Sequence, residues 1–180
     1  GARVYPMDKQ SGVLIGDQWL GRVVNGLGEP IEDKGKLTGD TVLPQQLPPV
    51  HPLTRQPVEA PPDVGVRAIH GLLTIGKGQR VGLMAGSGVG KSVLLGMITR
   101  YTQAEVVVVG LIGERGREVK EFIDHSLGEA GRRKSVIVAA PADESPLMRI
   151  KATELCHTIA SDYRDKGKDV LLLVDSLTRY

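Results

Sequence analysis

Ala85-Gly86-Ser87-Gly88-Val89-Gly90-Lys91-Ser92 places three glycines in five residues directly ahead of a Lys-Ser pair. An apolar stretch, Arg80 to Met84, precedes it, and a helix-like segment, Lys91 to Tyr101, follows. This is the P-loop pattern with Ala in place of the first Gly. The chemistry explains the residue types. Polyphosphate oxygens need closely spaced donors, and glycines let backbone N–H groups turn inward to meet them. A helix starting near Lys91 aims the positive end of its dipole at the same place. Lys91 is then expected at the β and γ phosphates and the Ser92 hydroxyl on Mg²⁺. Gly86, Ser87, Gly88, Val89, Gly90, Lys91 and Ser92 are the expected nucleotide-binding residues. A glycine-rich turn without function would require neither Lys-Ser at that spot nor the flanking strand and helix.

Two further stretches fit a nucleotide. Leu171-Leu172-Leu173-Val174-Asp175 is an apolar strand ending in a carboxylate, which suits Asp175 to Mg²⁺. Many strands end in Asp simply because a turn begins there, so Asp175 draws its meaning from the loop upstream. Gly113-Glu114-Arg115-Gly116-Arg117-Glu118 follows the β-branched run Val106 to Ile112, at the edge of the sheet where ligands bind in open α/β folds. Glu114 is placed to orient and polarise an attacking water. Arg115 is placed to offset phosphate charge. Arg117 and Glu118 read as solvated charges at a helix start.

Outward from these motifs, strand-like and helix-like segments alternate from about residue 64, which predicts a parallel sheet flanked by helices. Strands are expected over Arg80–Met84, Val106–Ile112, Ser135–Ala140 and Val170–Val174. Helices are expected over Lys91–Tyr101, Arg117 to about Leu127, and Pro146 to about Lys166. Ser145 supplies an N-cap, Pro146 a first helical residue and Gly167 a stop. Residues 44–63 form a connector: seven of the eleven prolines fall between 44 and 62, which excludes helix and central strand. Residues 1–43 hold short strands, Val13–Ile15 and Trp19–Val24, with turn signals at Asn25-Gly26 and Gly28-Glu29-Pro30. They read as the end of a small β unit.

Composition limits the alternatives. With 41% hydrophobic residues and 3% aromatics, the core must be aliphatic. A net charge of +2 and few aromatics give no support to a nucleic-acid surface, so no nucleic acid is expected as a partner. The one cysteine, Cys156, reads as a small buried hydrophobe. His51, His70, His125 and His157 lack metal-ligand spacing. Asp143-Glu144 charges the turn ahead of a helix. No apolar run is long enough to span a bilayer.

Together these stretches resemble a known family. The residues that carry the likeness are Gly71-Leu72-Leu73-Thr74-Ile75-Gly76-Lys77-Gly78-Gln79-Arg80, the loop 85–92, Gly110 to Glu118, Ala139-Ala140-Pro141-Ala142-Asp143 and Asp175-Ser176-Leu177-Thr178-Arg179-Tyr180. The family is the type III secretion ATPases, the flagellar export branch in particular, which is similar to the catalytic subunit of rotary ATP synthases. Ser87-Gly88 and Arg100-Tyr101-Thr102 look more flagellar than virulence-associated. Leu20 to Pro30 resembles the junction between an N-terminal β-barrel and the ATPase domain. The resemblance implies a RecA-like P-loop NTPase of α/β class over 64–180, preceded by the remnant of that barrel. It implies Mg²⁺-dependent ATP hydrolysis that energises protein export, with Glu114 as catalytic carboxylate, Arg115 beside it and Asp175 at Mg²⁺. Arg179 matches a family arginine near the site, without an assigned role. A homohexamer is implied, cytoplasmic and peripheral to the inner face of the bacterial membrane. Its implied partners are an export apparatus, regulatory stalk proteins and substrate–chaperone complexes. The adenine pocket, trans-acting arginine and C-terminal helical domain would lie after Tyr180, so 64–180 reads as truncated and poor at turnover by itself. A virulence injectisome ATPase, a non-catalytic rotary-ATPase subunit and a nucleic-acid motor are the competing readings.

Overall fold

The computed structural model describes residues 12–44, 49–86 and 88–180. Its strands are β1 (Gly12–Ile15), β2 (Val23–Val24), β3 (Thr41–Pro44), β4 (Val106–Ile112), β5 (Ser135–Ala140) and β6 (Val170–Asp175). Its α-helices are α1 (Arg67–Leu72), α2 (Lys91–Tyr101), α3 (Gly116–Glu121), α4 (Gly128–Arg133) and α5 (Pro146–Asp165). A four-stranded sheet runs β2-β5-β4-β6 with every pair parallel. β1 and β3 make a separate antiparallel pair. The α/β architecture read from the sequence is therefore the one observed.

β4 explains why the sheet is sandwiched. All seven of its residues are buried, as a run without polar alternation requires. Val106, Val108 and Ile112 face one side, with Leu155, Cys156, Ile159 and Tyr163 of α5. Val107, Val109 and Leu111 face the other, with Val119, Phe122 and Leu127. Gly110 lets α5 approach closely: a Cβ there would lie 2.8 Å from the Cys156 sulfur. Cys156 is fully buried, and burial pushes its thiol up to about 12, so it is the inert hydrophobe its setting suggested. α5 begins as expected, with the Ser145 hydroxyl accepting from the Met148 N–H at 3.2 Å and Pro146 in the first turn.

Three expectations need correction. Arg80–Met84 forms no strand; it is irregular and exposed, with Val81 58% and Met84 93% accessible. Its side chains meet too little apolar surface to offset the entropy of ordering it. The adjoining cluster has only Val64, Val66 and Ile98 buried. β6 is therefore paired on one edge alone and is half-buried. Trp19–Val24 is likewise not one strand. Asp17–Trp19 is a 3-10 turn, and only Val23–Val24 is extended, joining β5 of the main sheet. The helix expected over Arg117–Leu127 is instead α3, a π segment at Phe122–Leu127, and then α4.

The N-terminal residues share the main core. Val13, Ile15, Trp19 and Val24 lie in one buried cluster with α5, β4 and β5. The Tyr163 hydroxyl donates to the Gly16 carbonyl at 3.2 Å. A clasp at Glu32 secures this segment. Glu32 accepts from Arg22 Nε at 2.7 Å and from Arg132 Nη2 of α4 at 2.5 Å. Burial alone would raise the Glu32 carboxyl; the Arg22 hydrogen bond, the Val23 N–H and the Lys34 and Arg132 charges outweigh it and hold the group below its ordinary value.

Glu32→Ala strands two arginine side chains that are 13% and 28% exposed, and should cost about 2 kcal/mol. A carboxyl lowered on folding contributes stability above its unfolded value near 4.3 and loses it as pH falls through the native one. The mutant should accordingly show a weaker loss of stability below about pH 4.5 than the wild type. Denaturation followed by Trp19 emission, read against pH, checks both effects.

Candidate active site

Four elements converge at the C-terminal edge of the sheet: the start of α2, the loop after β4, the end of β6 and the turn Leu177–Arg179. The described glycines of the loop are uncrowded. Gly88 and Gly90 sit at φ +75° and +96°, and an added Cβ at Gly86, Gly88 or Gly90 would meet nothing within 4 Å. No side chain caps α2 at Gly90. Helical bonding begins with Leu94 N–H to the Gly90 carbonyl at 2.9 Å, so the N–H groups of the first turn stand outside the helix's own ladder. Val89 and Ser92 are exposed beside them. Ser87 lies outside the described residues.

Lys91 and Asp175, 84 residues apart, are brought together: Lys91 Nζ donates to Asp175 Oδ1 at 2.5 Å. The Asp175 side chain is 5% exposed and that of Lys91 29%. A second pair, Lys77 Nζ to Asp169 Oδ2 at 2.6 Å, ties the segment ahead of the loop to the start of β6. Lys77 and Lys91 are thus each tied to one end of β6.

Glu114 follows Gly113, whose φ of +70° turns the chain out of β4. The loop is held by Gly113 N–H to the Ala140 carbonyl at 2.7 Å and Ala142 N–H to the Glu114 carbonyl at 2.9 Å. The Glu114 carboxyl is raised, first by burial, then by a hydrogen bond shared with the Glu118 carboxyl, then by the Asp175 charge; Arg179 and Lys91 oppose the rise. Glu118 is lowered chiefly by the same shared bond. When the pair holds one proton, the more buried Glu114 keeps it and Glu118 accepts the bond.

Arg115 points outward. Its side chain is 73% exposed and reaches Glu118 Oε1 at 3.4 Å. The arginine at the loop is Arg179, whose Nη1 donates to the Gly113 carbonyl. Glu118 caps α3 through the Arg115 N–H at 3.4 Å, a role the sequence reading passed over when it took Glu118 as a solvated charge. Neither Glu118 nor Arg179 carries a spacing signal of its own; the tertiary fold brings them in. Among the described residues no group of three or more His, Cys, Asp or Glu could hold a metal. A cation here would have one carboxylate, Asp175, the Ser92 hydroxyl and substrate oxygens, the donor set magnesium favours. Two histidines accept main-chain bonds: Leu53 N–H reaches His51 Nδ1 at 3.3 Å, and Val64 N–H reaches His70 Nε2 at 3.0 Å.

Gly113 and Gly116 make opposed predictions. A Cβ on Gly113 would lie 2.8 Å from Arg179 Cβ and Cδ, at a positive φ. Gly113→Ala should destabilise by more than about 1 kcal/mol. Gly116 opens α3 with nothing within 4 Å, so Gly116→Ala should be neutral or stabilising by up to about 1 kcal/mol. Urea denaturation of the two variants distinguishes them.

A family model described as the ATP synthase alpha/beta family, nucleotide-binding domain, matches residues 65–180. Over its whole length the chain is 57% identical to the flagellum-specific ATP synthase of Pseudomonas aeruginosa, covering 40% of that protein. It is 47% identical over 178 residues to the type 3 secretion system ATPase of Xanthomonas euvesicatoria, with 99% of this chain and 40% of that protein covered. The solved structure of the assembled ATPase EscN, from the type III secretion system of enteropathogenic E. coli, superposes with a TM-score of 0.89 at 46% identity, covering 98% of this chain and 42% of that one. EscN in complex with its central stalk EscO gives 0.88 at 46% identity, covering 94% and 42%. The chain spans about two fifths of the length of the curated relatives it matches. Its glycine loop, its strand-end carboxylates and these likenesses agree, and the chain belongs to the ATP synthase alpha/beta family through its nucleotide-binding domain.

Proposed function

We propose that this chain is the phosphate-binding and hydrolytic part of an ATPase that energises protein export through the flagellar type III secretion apparatus. The observation that carries the reading is the convergence of Lys91, Asp175 and Glu114 at the mouth of an open glycine loop. Lys91 leaves Asp175 for the β and γ phosphates. Ser92 and Asp175 would hold Mg²⁺, which would offset phosphate charge when bound. Glu114, ionised, orients the attacking water and takes its proton. Arg115 exchanges its exposed pair with Glu118, worth at most about 1 kcal/mol, for phosphate. Gly86, Ser87, Gly88, Val89 and Gly90 supply backbone donors.

The flagellar assignment is supported by 57% identity to a flagellum-specific ATP synthase, against 47% to a type 3 secretion system ATPase. The virulence ATPase remains the second reading, favoured by the likeness to EscN. A non-catalytic subunit is disfavoured by the carboxylate at Glu114. We assign the whole protein to a homohexamer at the inner face of the bacterial membrane, working with a stalk protein, an export apparatus and substrate–chaperone complexes. Assembly and a stalk are what the EscN structures name for that ATPase. Among the described residues no helix is long and apolar enough to cross a membrane, in keeping with peripheral association. Residues 1–43 are taken as the end of an N-terminal barrel, 44–63 as a connector and 64–180 as the ATPase domain.

Three proteins expressed with their whole reading frame test the reading: wild type, Lys91→Ala and Glu114→Gln. Wild type should hydrolyse ATP with a specific rate that rises with protein concentration. Lys91→Ala should lose nucleotide affinity and turnover together. Glu114→Gln should keep its affinity and lose about 10²- to 10⁴-fold in rate. Binding without turnover in the wild type at every concentration would overturn the enzyme assignment. Wild type should also restore swimming to a strain lacking its flagellar export ATPase; restored injectisome secretion alone would favour the second reading.

A further inference from the structure

Arg149 belongs to none of the motifs above, yet it reaches the site. It lies in the first turns of α5, its N–H bonded to the Ser145 carbonyl at 3.2 Å. Its Nη1 donates to the Arg179 carbonyl at 3.4 Å, and its Nε is buried without an acceptor among the described residues. Arg179 in turn donates to the Gly113 carbonyl and lays its methylenes on Gly113, the residue before Glu114. The turn that carries Arg179 is also held by a hydroxyl bond between Ser176 and Thr178 at 2.8 Å and by long main-chain bonds: Ser176 N–H to the Ile112 carbonyl at 3.3 Å, Arg179 N–H to Ser176 at 3.2 Å and Tyr180 N–H to Leu177 at 3.3 Å. The Arg149 bond is no shorter than these, but it runs from the turn to α5. α5 itself is fixed by its fully buried stripe against β4 and β5.

We infer that Arg149 is a positioning residue: it anchors the Leu177–Arg179 turn to α5, so that Arg179 stays on Gly113 and the Glu114 loop keeps its place. The inference rests on the proposed ATPase reading only for its kinetic consequence. The charged groups facing Glu114 are Lys91 from α2, Glu118 from α3, Asp175 from β6 and Arg179 from the turn. Of these, Arg179 alone depends on Arg149. Loss of the anchor therefore misplaces the loop and its counter-charge without touching the phosphate cradle, which lowers kcat rather than affinity.

The experiment compares wild type, Arg149→Met and Arg149→Lys in the whole protein, by amide hydrogen exchange and steady-state ATPase kinetics. Arg149→Met keeps the apolar stem and drops the donors. It should speed exchange at Ser176, Arg179 and Tyr180 at least tenfold, and lower kcat about 10- to 100-fold with KM for ATP within twofold. Arg149→Lys keeps one donor and should restore both toward wild type. Unchanged exchange across 176–180 in Arg149→Met overturns the inference, as does a lysine variant as impaired as the methionine one with exchange raised throughout α5, which is the mark of a purely structural residue. If Arg149→Met does not fold, a lysine variant with wild-type exchange and rate supports the anchor, and one without overturns it. If wild type hydrolyses no ATP, the enzyme reading falls, and the exchange measurement still decides the role of Arg149.

Discussion

A single ion pair, Lys91 to Asp175 at 2.5 Å, joins the glycine loop to the sheet. Asp175 is nearly enclosed, and an enclosed carboxylate without a partner costs several kcal/mol. Lys91 meets that cost in the free protein. In the proposed function the same ammonium would pass from Asp175 to a phosphate. The companion pair at the other end of β6, Lys77 with Asp169, is half-exposed and contributes little by itself. It ties Lys77 to the start of the strand.

The layers on either side of β4 approach closely because small residues stand where they cross. Gly110 faces Cys156 of α5; Gly96 of α2 faces Ser126, where a Cβ would come within 2.6 Å of a carbonyl oxygen; Gly26 faces Met148 of α5 at a similar distance. The first two contacts set the depth of the helical layers, and with it the height at which α2, the Glu114 loop and the 177–179 turn meet. The third presses the N-terminal segment onto α5. The Glu32 clasp then fixes that segment to α4. The residues before the proline-rich connector so become part of the shell that holds α5, and α5 in turn presents Arg149 to the site.

Much of this was legible in the sequence. The glycine loop, β4, β5, α2 and α5 all follow from local signals: a phosphate-binding pattern with its own mechanism, unbroken β-branched runs, a Ser-Pro helix start and a glycine stop. Lys91, Ser92, Asp175 and Glu114 stand out because each occupies the end of such an element, and in a parallel sheet those ends share one edge. Local chemistry alone dictates that much. Arg80–Met84 shows the limit: its residues favour a strand, but a strand needs a ladder partner and covered faces, and neither is a property of five residues.

The tertiary structure alone decided the rest. It laid Arg179 on the Glu114 loop, against Gly113, and left the Arg115 side chain exposed and paired with Glu118. It drew Val23–Val24 into the main sheet and set Arg22 and Arg132, distant in sequence, on one carboxylate. The sequence by itself determined which elements exist and which of their ends carry chemistry, since helix caps, strand runs and glycine turns are short-range effects. Which charges pair depends on distances across the core, where a side chain's partner is set by packing and desolvation and leaves no mark in the spacing of the residues.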